Sequence, residues 1–287
     1  MAGRFPRGVS LPLTVALGLC LTAPATAAQE PAEQLLARAQ QGDDAAHAAL
    51  RTRATDGDTT SQYAMASLHA DPNGPLGRDP VEVTRWLRLA SEQGHEAAQL
   101  ALGMYYLVGD GVPQDMVETE RWFLRAAEQG NAQAQHNLGH LYQGLAEPDR
   151  SSDTVPLDHA ASVRWFQRAA EQGHVSAATS LAVKYRDGNG IPMAIDQAFR
   201  WFLRAADLGD VEAMTEVGVM YAAGRGVALD DIAAYVWLDL AARHAGGEDR
   251  EFVLRDREGV AQRLTARQIA EAERRANTWT PAQPQRK

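Results

Sequence analysis

The chain has 287 residues, of which 45% are hydrophobic and 7% aromatic, with 28 Lys and Arg against 37 Asp and Glu for a formal charge of −9, and it contains one cysteine. That balance belongs to a soluble globular or repeat protein and excludes collagen, wholesale disorder and a polytopic membrane protein. Lys184 and Lys287 are the only lysines, and the net charge is acidic. No nucleic-acid partner is therefore expected, because neutralising phosphates needs an excess of positive charge on one surface.

Residues 1–28 read as an export signal. Arg4 and Arg7 form a basic start, Val9 to Leu21 is almost wholly apolar, and Ala25, Thr26 and Ala27 supply a small-x-small cleavage pattern. The apolar run is shorter than the ~20 residues a membrane-spanning helix needs. Cys20 follows Leu19, whereas a lipid-anchored cysteine would follow a small residue. Cleavage after Ala27 or Ala28 removes Cys20 and leaves a cysteine-free chain without disulfides. The expected location is periplasmic or secreted. No later segment is continuously apolar, so no membrane span is expected.

Residues 29–57 form a degenerate helical cap. Beyond them a repeat is visible in the tryptophans: Trp86, Trp122, Trp165, Trp201 and Trp237 stand 36, 43, 36 and 36 residues apart. The first four are each followed by a glycine at Gly94, Gly130, Gly173 or Gly209. A period of this size means stacked supersecondary units. Around each tryptophan the apolar pairs fall at i and i+4, as with Trp122 and Ala126 or Phe123 and Ala127, which puts one buried stripe on a helix that the glycine then closes.

A second helix follows each glycine. Ala98, Leu102 and Tyr106 lie at i, i+4 and i+8, repeated as Ala134, Leu138, Tyr142 and as Ala177, Leu181, Tyr185. The residue after the glycine is Asp43, Asp58, His95, Asn131, His174 or Asp210, mostly good helix N-cap types. His95 and His174 are read as helix starters. Gly103, Gly139 and Gly218 on the first helix of a unit let the second helix approach closely. Gly109 to Pro113, Gly188 to Pro192 and Gly224 to Val227 combine chain breakers with one apolar plug. Each unit is thus a helix hairpin.

This text, Ala-x-x-x-Leu-Gly-x-x-Tyr-x-x-Gly-x-Gly-Val followed by Trp-Phe-x-x-Ala-Ala-x-x-Gly, closely resembles the Sel1-like repeat, a relative of the tetratricopeptide repeat. The resemblance covers five units over residues 58–245, divided at 58–94, 95–130, 131–173, 174–209 and 210–245. The first unit departs from it, with Ala66 and His69 where Gly and Tyr are expected. The third carries seven extra residues before Trp165, and the fifth has Ala245 in place of its closing glycine. Residues 246–287 form a helical tail, in which Thr265 and Gln268 make a capping box. The resemblance implies an all-α, right-handed superhelical solenoid of helix-turn-helix units that works as an interaction scaffold.

In such an array the repeated residues are consumed by packing, and specificity falls to first-helix positions that differ between units. A tetratricopeptide-like groove would be lined by Leu100, Met104 and Leu107 in one unit and by Gln133, His136 and His140 in the next. Thr179 and Arg186, then Glu212 and Thr215, would continue it. The apolar-to-polar grading suits an amphipathic or extended peptide. Packing against a neighbouring helix is the competing reading for Leu100 and Leu107.

His136 and His140, one turn apart, could chelate a divalent metal, but a zinc helix usually carries Glu beside the first His, and Asn137, Leu138 and Gly139 intervene here. No metal and no cofactor is expected. The arginine pairs 121/125, 164/168 and 200/204 could hold an anionic glycan or phosphate, yet Glu128, Glu171 and Asp207 follow the second Arg of each pair at the spacing of surface ion pairs, so a charge-balanced face is expected. No nucleophile elbow, phosphate loop or zinc-protease motif occurs. Some cysteine-rich relatives of the resembled family are tied to β-lactamase-like activity, but their disulfides are missing here and Lys184 has no Ser three residues before it. The expected function is a non-catalytic envelope scaffold, monomeric or weakly self-associating, for a protein or peptide partner. A regulator of envelope signalling or exopolysaccharide production is the first alternative, and a cell-wall-active or β-lactamase-like enzyme the second.

Overall fold

The computed structural model describes residues 30–144 and 155–282. Residues 1–28, read above as an export signal and containing Cys20, and most of the insertion before Trp165 lie outside the described residues. Among the described residues all regular structure is α-helical, in fourteen helices. None is long and apolar enough to cross a membrane.

The chain divides into two compact units. The first holds α1 (Ala32–Gln40), α2 (Asp44–Thr55), α3 (Thr59–Ala70), α4 (Pro80–Glu92), α5 (Glu96–Val108) and α6 (Met116–Glu128), each packed on the next, with α1 also against α3. The second holds residues 135–144 of α7 (Ala132–Tyr142) and its turn, then α8 (His159–Glu171), α9 (Val175–Asp187), α10 (Ile195–Asp207), α11 (Val211–Ala223) and α12 (Asp231–His244). Its tail helices α13 (Gly247–Ala261) and α14 (Ala266–Thr278) both pack on α12.

Capping chemistry sets the helix starts. Asp115 Oδ1 accepts from the backbone N–H groups of Val117 and Glu118 at 2.9 and 3.0 Å, satisfying donors that the first helical turn cannot. His95 and His174 do the same with Nδ1, each accepting from the backbone N–H three residues on at 3.2 Å. Both are the helix starters expected from their place after a glycine. The capping box of Thr265 and Gln268 is formed. Gly94 (φ +90°) and its equivalents make the left-handed turn between helices, a conformation side chains disfavour.

The core is the repeated stripe. Trp122, Phe123, Ala126, Leu102 and Tyr106 are all buried, and a Cβ on Gly103 would come within 2.6 Å of the Phe123 ring. The same relation holds between Gly139 and Phe166 at 2.5 Å. A device absent from the sequence reading joins successive hairpins. Gln99 Nε2 donates to Ser91 O at 3.1 Å while its Oε1 accepts from Gln129 Nε2 at 2.7 Å. Gln62 serves Ala54 O and Gln93 in the same way. A buried amide thereby adds a second hydrogen bond to a carbonyl in the last turn of the preceding helix, which already accepts from the glycine N–H of the turn.

One expectation is corrected. No ion pair joins Arg125 to Glu128, Arg168 to Glu171 or Arg204 to Asp207. The guanidinium groups instead lie over Trp122, Trp165 and Trp201 at 4.7, 4.8 and 5.3 Å from the ring centroids. A weakly hydrated planar cation gains from the tryptophan face three residues back, whereas an exposed ion pair on a helix contributes little.

Candidate functional site

The groove residues fall into two sets. Leu100, Met104 and Leu107 lie along α5 in the first unit, each half-buried, so their apolar side chains are shared between packing and surface. Gln133, at the start of α7, is exposed in the same unit. The rest belong to the second unit. Thr179 is only 6% exposed, and its Oγ1 is buried without a hydrogen-bond partner, so its hydroxyl is withdrawn from the surface. Arg186 donates through Nη1 to Glu216 Oε1 at 2.6 Å and through Nε to Asp187 Oδ1 at 2.8 Å, a bridge from α9 to α11. Glu212 is exposed, and the hydroxyl of Thr215 donates back to Val211 O at 3.0 Å.

His136 and His140 are brought together. Gln143 Nε2 donates to His140 Nδ1 at 2.9 Å, which leaves the His140 proton on Nε2, and that N–H donates to His136 Nε2 at 3.0 Å. His174, the N-cap of α9, stacks on His136 with centroids 4.6 Å apart, and the Phe166 ring meets His140 edge-on at 5.0 Å. Burial, with His140 and His174 adding to it, pushes the His136 pKa down to about 3. Burial, with Lys184 and His174 adding to it, takes His140 to about 4. Both are therefore neutral hydrogen-bonding groups near neutral pH. Among the described residues no three His, Cys, Asp or Glu side chains converge as a metal site would require.

Lys184 completes this seam, and the groove pattern did not include it. It stands eleven residues after Gly173, the register at which other units place Tyr105, Leu141 and Met220, and like them it is buried, at 4% exposure. Its ammonium makes no hydrogen bond or ion pair among the described residues, and burial lowers its pKa. Asp187, the acid that acts on it, is itself held by Arg186. The signal in the sequence was a lysine breaking an apolar register. The chemical result is a half-open seam with three neutral imidazoles and one cation lacking a counterion, suited to a carboxylate.

The architecture is that of an all-α protein built from tandem helix hairpins. Residues 59–95, 96–131, 132–174, 175–210 and 211–245 each match the Sel1 repeat, and the chain belongs to that family. It is similar to a protective antigen present in uropathogenic Escherichia coli strains displaying an SLR fold, at 28% identity and a TM-score of 0.67 over 82% of this chain. The match takes in 48% of that antigen, so this chain spans about half its length. It is also similar to a Sel1 repeat protein from Oxalobacter formigenes, at 26% identity and a TM-score of 0.67 over 76% of this chain and 86% of that one. Comparison with curated proteins finds no match.

Proposed function

We propose that this protein is an exported, non-catalytic scaffold of the cell envelope that binds a protein or peptide segment presenting carboxylates, received at the seam of Lys184, His136, His140 and His174. Lys184 carries the reading. Lys184 is 4% exposed and makes no ion pair among the described residues, a costly setting for a charged side chain, and a hydrophobic residue fills the same register in the neighbouring units. An anionic group supplied by a partner offsets that penalty, and the neighbouring His140 is uncharged near neutral pH, so it adds no charge against it. Sel1 repeat proteins are generally non-catalytic interaction scaffolds, and the basic, apolar and small-residue pattern of residues 1–28 supports export.

Two measurements test the reading. A mature N-terminus at Ala28 or Gln29 in the envelope fraction is expected, and an intact Met1 chain in the cytosol overturns the export claim. A photoreactive side chain at position 140 should crosslink one partner in living cells, with crosslinking lost in Lys184→Met. Equal crosslinking from the exposed position 200 on α10, or no loss with Lys184→Met, removes the seam. Turnover of nitrocefin or peptidoglycan by the purified chain would overturn the non-catalytic assignment.

A further inference from the structure

The first unit contains a recess of about 300 Å³ between α2, α3 and α4. Arg51, Met65, His69, Glu82, Arg85 and Trp86 line it. Every one of these has a counterpart one repeat later, in the same register: Arg88, Leu102, Tyr106, Glu118, Arg121 and Trp122. In that later unit the phenol of Tyr106 is held in place by Arg88, whose Nη2 donates to the tyrosine hydroxyl and whose guanidinium lies 5.9 Å from the ring centroid. Tyr142, Tyr185 and Tyr221 continue the register, and only the first unit has a histidine there. The recess thus lies where the other units carry a phenol.

The wall also differs from its counterpart in hydrogen bonding. Trp86 is 2% exposed, yet its Nε1 has no hydrogen-bond partner, and His69 Nδ1 is likewise buried and unpartnered. In the later unit Glu118 divides its oxygens, taking Arg121 on Oε1 and the Trp122 N–H on Oε2. In the first unit Glu82 gives both oxygens to Arg85, at 3.0 and 2.8 Å. The first unit therefore lacks the indole hydrogen bond that its counterpart makes.

We propose that this recess receives the phenol ring of a tyrosine side chain from another polypeptide. The ring packs on Met65 and Trp86, and its hydroxyl accepts from Arg51 as the Tyr106 hydroxyl accepts from Arg88. Recognition here is the repeat's own internal contact made between chains. It does not depend on the Lys184 seam, which belongs to the other unit.

The test uses the full chain labelled with ¹³C at its methionine methyls, with the Met65 signal assigned from Met65→Leu. The probe is N-acetyl-tyrosinamide, with N-acetyl-phenylalaninamide and p-cresol for comparison. We expect a saturable ring-current shift of the Met65 methyl with the tyrosine probe, and binding weaker by about fivefold when the hydroxyl is absent, the loss of one hydrogen bond. His69→Tyr, which restores the repeat, should abolish the shift and raise the melting temperature. Arg51→Met should reduce the tyrosine probe to the affinity of the phenylalanine probe while leaving melting nearly unchanged. Saturation by p-cresol with no response to the peptide-like probe would overturn the side-chain assignment in favour of a free phenol. A Met65 signal that does not move, or one that still moves in His69→Tyr, overturns the site. If His69→Tyr does not fold, the Arg51→Met comparison decides alone.

Discussion

The indole N–H of Trp122 donates to Glu118 Oε2 at 2.9 Å, one turn earlier on the same helix. Trp86, at the same register of the preceding hairpin, has no such partner although Glu82 sits four residues before it. The same two residue types at the same spacing therefore carry different loads. Glu118→Ala should destabilise by about 1–3 kcal/mol, because it orphans a buried donor, whereas Glu82→Ala should fall within about 0.5 kcal/mol of the parent, as expected for a surface change. Trp122→Ala, which empties a core site, should cost about 3–5 kcal/mol. Denaturant melts of the three variants check the order, and equal losses for the two glutamates would contradict it.

Gly103 sits inside α5, where alanine would ordinarily be favoured by about 1 kcal/mol on helix propensity alone. A Cβ there would stand 2.6 Å from the Phe123 ring, an overpacking penalty of about 1–3 kcal/mol. The clash should win, and Gly103→Ala should lower the melting temperature. Adding Phe123→Leu should recover part of the loss. A stabilised Gly103→Ala chain would mean that α5 and α6 are not in the contact described.

Lys184→Met should stabilise the protein, since it replaces a largely buried lysine that makes no ion pair with the residue that occupies the same register at Met220. Thermal melting reads the gain directly. A lower melting temperature would show that the ammonium is satisfied within the chain.

Acid should weaken the second unit. His136 and His140 have pKa values pushed down to about 3 and about 4 by burial, against about 6.5 when unfolded. Between those values the unfolded chain binds more protons, so stability is full above pH ~6.5 and falls as pH drops toward the folded values, by at most about 1.4 kcal/mol per pH unit for each ring. The double variant His136→Gln, His140→Gln should flatten the melting temperature between those limits. An unchanged slope would place the acid sensitivity elsewhere.

The 36-residue spacing of the tryptophans and the glycine-plus-cap turns determined the helix hairpins and the family, because packing periodicity and capping are local in sequence. Capping by His95 and His174, the close approach at Gly103 and the capping box at Thr265 were legible for the same reason. What lies at helix edges was not. Arg125, Arg168 and Arg204 had an acid and a tryptophan within equal reach, and only the packed geometry sends them to the ring. Whether Thr179 is presented or withdrawn, and whether Lys184 finds a counterion, depends on how neighbouring helices close over a position at the margin of the buried stripe. The sequence showed that His69 breaks the tyrosine register, but the tertiary structure decided that the break leaves a recess, since a missing side chain becomes a cavity only where the surrounding helices do not collapse into it.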